Sequence, residues 1–276
     1  MRGLIVLILA GCYSAHPPEG APCAANGVCP NPLVCMAGAC FEKTTMVIDA
    51  PPDAFACKPI GGAGGSLEIP FVVAPKIDGD LADWPACFVS IDATHNPTRD
   101  LDHMGAFASG RFSLAHDATK IYLAADITGI APLGDEAVPG IFENDSVSFY
   151  LDGDGVFTSQ AYDSDAMQLV IDHANRVQGF RDGMNVTATS VTSAAITSGN
   201  HYTIEASVAP STFGLTAFGA SIGFDLGIEN GDGASQLSEV LWYQACELPL
   251  CGCMSGTESA PYCDAREFGT ATLSGP

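Results

Sequence analysis

The sequence predicts an all-β protein: one β-sandwich, preceded by a small disulfide-rich module and linkers. Three observations carry this. From about residue 67 onward, short runs of β-branched, aromatic and aliphatic residues recur between turn signals. No helical period extends beyond one turn near 210–215. The 276 residues are 47% hydrophobic and 15% charged, a globular rather than a disordered composition.

The elements follow in order. Met1 and Arg2 supply a minimal positive start, and Gly3 to Leu9 form a short apolar stretch. That stretch is far below the ~20 residues needed to span a bilayer. Leu9-Ala10-Gly11-Cys12 reads as a bacterial lipobox, with small residues placed for a signal peptidase. Residues 1–11 are therefore expected to be a lipoprotein signal peptide, and Cys12 the acylated first residue of the mature chain. Several acyl chains anchor stably where one is marginal. The lipid bilayer is thus one expected partner. The expected location is the bacterial cell envelope, at the outer membrane. Residues 12–22 are a polar, proline-rich tether.

Residues 23–40 hold Cys23, Cys29, Cys35 and Cys40 among Gly, Pro and Asn. So short a piece cannot build a core and needs bridges. An exported chain meets an oxidising compartment, which makes disulfides the expectation. The module reads as a protease-resistant spacer or a small binding knob. Residues 41–66 form a Pro/Gly linker with Cys57 inside it. Cys87, Cys246, Cys251, Cys253 and Cys263 complete the ten cysteines left once Cys12 is set aside. The last four lack a paired zinc spacing, so disulfides are preferred over metal there.

Residues 67–276 are the sandwich. Strands are expected at 67–73, 108–116, 120–127, 146–152, 167–173, 187–197, 202–208, 220–228, 240–243 and 268–273. The cleanest is Ser146–Asp152, with Val147, Phe149 and Leu151 predicted inward and Ser146, Ser148 and Tyr150 outward. The chain carries 32 Asp+Glu against 10 Lys+Arg. This acidity argues against nucleic acid and anionic lipid headgroups as partners. The acids sit in short turns, where hard oxygen ligands suit calcium. Asp145, Asp152 and Asp154 are the suspected calcium ligands, and Asp163 and Asp165 could join this turn or the next. Asp78, Asp80 and Asp83 form a second acidic turn. Ordinary turn chemistry is the competing reading for both.

The order of motifs resembles a known family. Ile77-Asp-Gly-Asp-Leu-Ala-Asp-Trp84 opens the domain. Ala115–Ile127, Phe142–Asp152, Tyr202–Pro210, Ile222–Asn230, Leu241–Tyr243 and Phe268–Leu273 follow. This succession is similar to the family 9 carbohydrate-binding modules and the wider DOMON-like group. The resemblance implies a jelly-roll type β-sandwich that binds sugars, often with structural calcium, beside polysaccharide-degrading enzymes. It places Phe142 where sugar-binding members have Trp, Ser148 where they have an acid, and Gln168 at a polar contact. Sugar recognition needs an aromatic face and planar polar groups. The suspected sugar-binding residues are Phe142, Ser148, Gln168, Trp242 and Tyr243. Adjacent strand residues face opposite ways, so one of Trp242 and Tyr243 points outward. Trp84 reads as core or strand-end packing.

His-Glu-x-x-His and Walker-type motifs are absent, and no acid pair stands out for glycoside hydrolysis. The chain is read as a binding protein, expected to be monomeric, and not an enzyme. Two other readings stay open. One is a structural envelope protein without a small ligand. The other is haem binding, which some DOMON-like domains show, through Met104, Met167 or Met184 with His103 or His173.

Overall fold

The computed structural model describes residues 21–22, 24, 29, 33–36, 39–42, 65–85, 87–100, 106–134, 140–156, 162–181, 184–243 and 268–275. The chain divides into two compact units, Met1–Pro51 and Pro52–Pro276. In the first, β1 (Ala21–Pro22), β2 (Leu33–Met36) and β3 (Ala39–Glu42) form an antiparallel sheet in the order β1-β3-β2. Cys35 and Cys40 are register partners across β2 and β3, and Cys29 is disulfide-bonded. Cys12, Cys23, Cys57, Cys246, Cys251, Cys253 and Cys263 lie outside the described residues, and with them the expected lipidation and pairings.

The second unit is a two-sheet sandwich. Its strands are β4 (Ser66–Ile69), β5 (Val89–Ile91), β6 (Asn96–Asp100), β7 (Ser109–His116), β8 (Ile121–Thr128) and β9 (Ser146–Asp152). They continue with β10 (Ala166–Asp172), β11 (Val177–Arg181), β12 (Met184–Val186), β13 (Val191–Ser198) and β14 (His201–Val208). Last come β15 (Ser221–Gly231), β16 (Gln236–Leu241) and β17 (Gly269–Leu273). The larger sheet runs β12-β11-β10-β9-β15-β16-β6, with β17 on the other half of β15. The smaller runs β13-β14-β8-β7-β5. Pairing is antiparallel except where β4 lies parallel to β17, Leu67 opposite Ala271. The first and last strands of the sandwich are thus neighbours.

Strand periodicity builds the core. Val147, Phe149 and Leu151 of β9 point inward with Leu169 and Ile171 of β10 and Phe224, Leu226 and Ile228 of β15. They meet Phe112, Leu114, Leu123, Ile127, Tyr202 and Ile204 of the smaller sheet. Burying such side chains contributes on the order of 2 kcal/mol each. Trp84 packs as expected. It is 7% exposed and sits against Ala115, Tyr122 and Ala124 on the outer face of the smaller sheet. Single 3-10 turns cover Leu81–Asp83, Ile141–Glu143 and Pro210–Phe213.

Candidate functional site

The outer face of the larger sheet carries a polar network. Register sets it. Tyr150 of β9 lies opposite Gln168 of β10 and Asp225 of β15, and Ser148 lies opposite Val170 and Gly227. Ser148 Oγ donates to Glu229 Oε1 at 2.6 Å and accepts from Gln168 Nε2 at 3.0 Å. Tyr150 donates its hydroxyl to Glu239 Oε1 at 3.1 Å. Gln236 Nε2 donates to the second oxygen of Glu229. Glu229 and Glu239 are themselves register partners on β15 and β16. Burial and the adjoining carboxylates push the Tyr150 hydroxyl well above its ordinary pKa. Ser148 and Gln168, predicted separately, are therefore brought into direct contact.

Ser148 is on the expected face but fully buried, not exposed, and Gln168 is 9% exposed. The outward direction expected for the polar residues of β9 therefore does not bring exposure. All seven of its residues are buried; Ser148 and Tyr150 bond acids of β15 and β16, while Ser146 Oγ and Asp152 Oδ2 have no hydrogen-bond partner among the described residues. Ser148 and Gln168 thus serve as a layer behind the surface.

The rim is more accessible. Phe142, in the 3-10 turn before β9, is half-buried and meets Phe180 of β11 edge to face, with ring centroids 5.4 Å apart. Ile141 N donates to Gln178 Oε1 at 3.2 Å, and Gln178 Nε2 donates to Asn185 Oδ1 at 2.8 Å. The Phe142 ring therefore stands beside a pair of planar amides. Gln178 and Asn185 also line a notch of about 390 Å³ with Val177, Gly179 and Ala188, where β12 leaves β11. Glu229, Glu239, Gln236, Gln178 and Asn185 are not singled out by the sequence. A signal for Glu229 is present there: with Asp225 it is one of two acids at outward positions of a strand otherwise rich in apolar residues.

Trp242 is half-buried and takes the core side. Its backbone N–H bonds Leu226 O, and its ring packs on Phe112 and Phe224 at 5.6 and 5.8 Å, against the main core. Tyr243 takes the opposite face, half-buried against the backbone of Gly65, with its N–H on Asp225.

The acids divide differently from expectation. Asp152, Asp154 and Asp165 converge, their ligand atoms within 4.8 Å of one another. Burial first, then the neighbouring carboxylates, push Asp152 up to about 7. Asp145 is not part of this group. It precedes β9 while Asp152 ends it, and seven strand residues separate such positions by about 20 Å. Asp145 Oδ2 instead accepts from Gly134 N at 2.8 Å. In the other acidic turn, Asp78 and Asp80 accept from backbone N–H groups of residues 80 and 82, which is ordinary turn chemistry.

The haem pairs are not assembled among the described residues. Met167 is buried in the sandwich core, and Met184 is 70% exposed. His173 Nε2 contacts Gly134 O at 3.0 Å. Met104 and His103 lie outside the described residues.

Comparison with known proteins places these features in context. The sequence profile of a family described as carbohydrate family 9 binding domain-like matches residues 77–276. A family 9 carbohydrate-binding module from Caldicellulosiruptor kristjanssonii, solved with cellotriose, is similar at 17% identity. The likeness covers 76% of this chain and 94% of that one, with a TM-score of 0.58. A module from the same organism solved with glucose aligns at 18% identity over 76% and 96%, with a TM-score of 0.56. A candidate carbohydrate-binding protein from Bacteroides uniformis ATCC 8492 aligns at 15% identity over 76% and 100%, with a TM-score of 0.51. These likenesses carry the fold. No curated protein sequence matches.

Proposed function

The chain belongs to the carbohydrate family 9 binding domain-like family, and from that premise we propose that its sandwich is a non-catalytic module that binds neutral glycan. One observation carries the reading: the half-exposed Phe142 ring beside the Gln178–Asn185 amide pair, with the Ser148–Gln168–Glu229 network behind it. An aromatic face accepts the C–H side of a pyranose, and planar amides match vicinal hydroxyls in both donor and acceptor roles. The similar module solved with cellotriose supplies the first ligand to try.

Calorimetric titration of the full chain with cellotriose and xylo-oligosaccharides tests it. Saturable heat is expected, with at least a tenfold loss of affinity in Phe142→Ala. No saturable heat with any neutral sugar overturns the reading.

The same proposal places the module outside the cytoplasm, held at the outer membrane through acylated Cys12, where it would support partner enzymes that degrade polysaccharide. Labelled palmitate incorporated by the wild type and lost in Cys12→Ala is the expected result. Equal labelling of both would overturn the anchor.

A further inference from the structure

One end of the sandwich holds a mouth that the glycan site does not use. It opens between the loop after β8, residues 130–134, and the turn that joins β15 to β16. Its volume is about 380 Å³, enough for one small ligand. Ile130, Pro132, Leu133 and Leu237 give it an aliphatic wall, and Asn230 and Asp232 supply the polar side chains. Its lining contains no aromatic ring and no basic side chain among the described residues. Alternation along β15 sends Glu229 to the outer floor, so Asn230 turns the other way, toward the smaller sheet. Asn230 is 5% exposed, and its side-chain amide makes no hydrogen bond to any described residue. That amide carries two N–H donors and one carbonyl acceptor. A polar side chain so deeply buried is rarely left without partners.

The other polar groups of the mouth are engaged. Asp232 Oδ1 accepts from Ala234 N and Ser235 N, both at 2.9 Å. Gly134 N donates to Asp145 Oδ2 at 2.8 Å, and Gly134 O meets His173 Nε2 at 3.0 Å. The start of the loop is fastened too. Gly129 N donates to Asn200 O at 2.8 Å, and Asn200 Nδ2 donates to Gly129 O at 2.9 Å. The two walls touch at Gly134, where a Cβ would lie 2.4 Å from Gly231 O. Both walls are thus held in place, and the Asn230 amide is uncommitted between them.

We propose that this mouth binds the acetamido group of an N-acetylated sugar. The acetyl methyl suits the aliphatic wall, whereas the face of a bare pyranose seeks an aromatic ring. The acetamido carbonyl and N–H match the donors and the acceptor of Asn230. The ligand group is uncharged because the described lining offers no cation and Asp232 is tied to its own turn. The mouth lies on the opposite side of β15 from the Glu229 floor, so the inference is independent of the site at Phe142.

Titration of the full chain with N-acetylglucosamine, followed through backbone amide NMR signals, tests it. Saturable shifts at Gly134, Gly231 and Asp232 are expected. Glucose and glucosamine lack the acetyl group and should act on these residues at least about fivefold more weakly. Asn230→Ala should weaken N-acetylglucosamine by about five- to tenfold, the worth of roughly one hydrogen bond. Phe142→Ala should leave that affinity unchanged. Ile130→Ser, at a half-buried position of the wall, should weaken it by about threefold and serves if Asn230→Ala does not fold. Absence of shifts at these residues overturns the proposal. So does equal binding of glucose, or a loss seen with Phe142→Ala alone, which would seat the sugar on the Phe142 ring. Equal binding of N-acetylalanine methylamide overturns the sugar and assigns the mouth to peptide amides.

Discussion

The outer faces of the two sheets solve the same problem in different ways. On the smaller sheet a single buried acid, Glu205 of β14, receives the N–H groups of Asp78 and Gly79 and the indole N–H of Trp84. All three donors come from one short loop, so the acid works as a lock for the opening motif. Around it Trp84, Ala115, Tyr122 and Ala124 form a small buried cluster, and exposed pairs lie farther along the face. On the larger sheet two acids, Glu229 and Glu239, share donors from Ser148, Gln236 and Tyr150. The first arrangement fixes a loop. The second builds a buried polar floor that spans β9, β15 and β16, on which the proposed glycan site would rest. A buried acid thus reads as structural or as part of a recognition surface according to where its donors come from.

The strongest way to break this contrast is to remove the lock. Glu205→Ala leaves three donors without their acceptor and opens space under Trp84. An unfolding free energy lower by about 3 kcal/mol is expected from chemical denaturation, because each unmet buried group costs about 1–3 kcal/mol. Glu205→Gln retains one acceptor oxygen and should lose about half as much. A loss within about 0.5 kcal/mol for Glu205→Ala would show that the loop is held by packing alone.

Asp145 sharpens the contrast, because it is a buried acid with a single described donor, Gly134 N, and an Oδ1 with none. Burial pushes its carboxyl up to about 7 from an ordinary 3.8. Between those pH values the folded chain keeps a proton that the unfolded chain has released. Stability from this group is therefore full below about pH 4, falls as pH rises toward 7, and is level above that. A tenfold change in proton affinity between the folded and unfolded chain corresponds to ~1.4 kcal/mol. Asp145→Asn should gain about 1–3 kcal/mol over the wild type between about pH 5 and pH 8, read from urea midpoints. Other buried acids contribute in both proteins, so the difference isolates Asp145. Parallel pH profiles would sink the prediction.

The recognition side of the contrast predicts a split between binding and stability. Gln178→Ala and Asn185→Ala should each weaken cellotriose by about five- to tenfold, the worth of roughly one hydrogen bond. Their melting temperatures should move little, since Asn185 is exposed and Gln178 half-buried. Equal loss of binding and stability would place these amides with the lock rather than with a ligand surface.

The strands with clean alternation are legible in the sequence. The expected bounds of β9 match the observed ones, and those of β7, β8 and β14 fall within one or two residues, because their apolar face is continuous. β6 carries Pro97, and β11 and β12 are short with Gly179 and Arg181 among them. Such pieces become strands only when a neighbour pairs with them. For the site, the direction of Ser148 is readable but its burial is not. Alternation reports a face and not what lies over it. Asp145 and Asp152 look like neighbours because a strand hides distance: seven letters are about 20 Å of chain. Asp165, open in the sequence to either acidic turn, is assigned to Asp152 only by the β9–β10 register. Trp242 and Tyr243 belong to opposite faces by alternation, and only pairing with Leu226 and Asp225 decides which faces in.

The smallest effect belongs to the exposed part of the smaller sheet. Asp126 there receives Arg111 Nη2 at 2.7 Å and His201 Nε2 at 2.5 Å, and Arg111 also lies 4.6 Å over the Phe88 ring. Burial, the largest single influence, pulls the Asp126 carboxyl up, but Arg111 and His201 together outweigh it and hold the carboxyl below its ordinary pKa. The geometry looks as complete as that of Glu205. Yet Arg111 and His201 have side chains 54% and 49% exposed, so water competes for every contact and salt screens what is left. His201→Ala should therefore cost no more than about 0.5 kcal/mol at pH 7, and Arg111→Ala about 1 kcal/mol at most, some of it lost packing on Phe88. Both losses should shrink in about 0.5 M salt. A loss from His201→Ala as large as that from Glu205→Ala would mean that the number of partners governs the worth of an acid on this fold. The expected gap of several fold assigns that worth to burial.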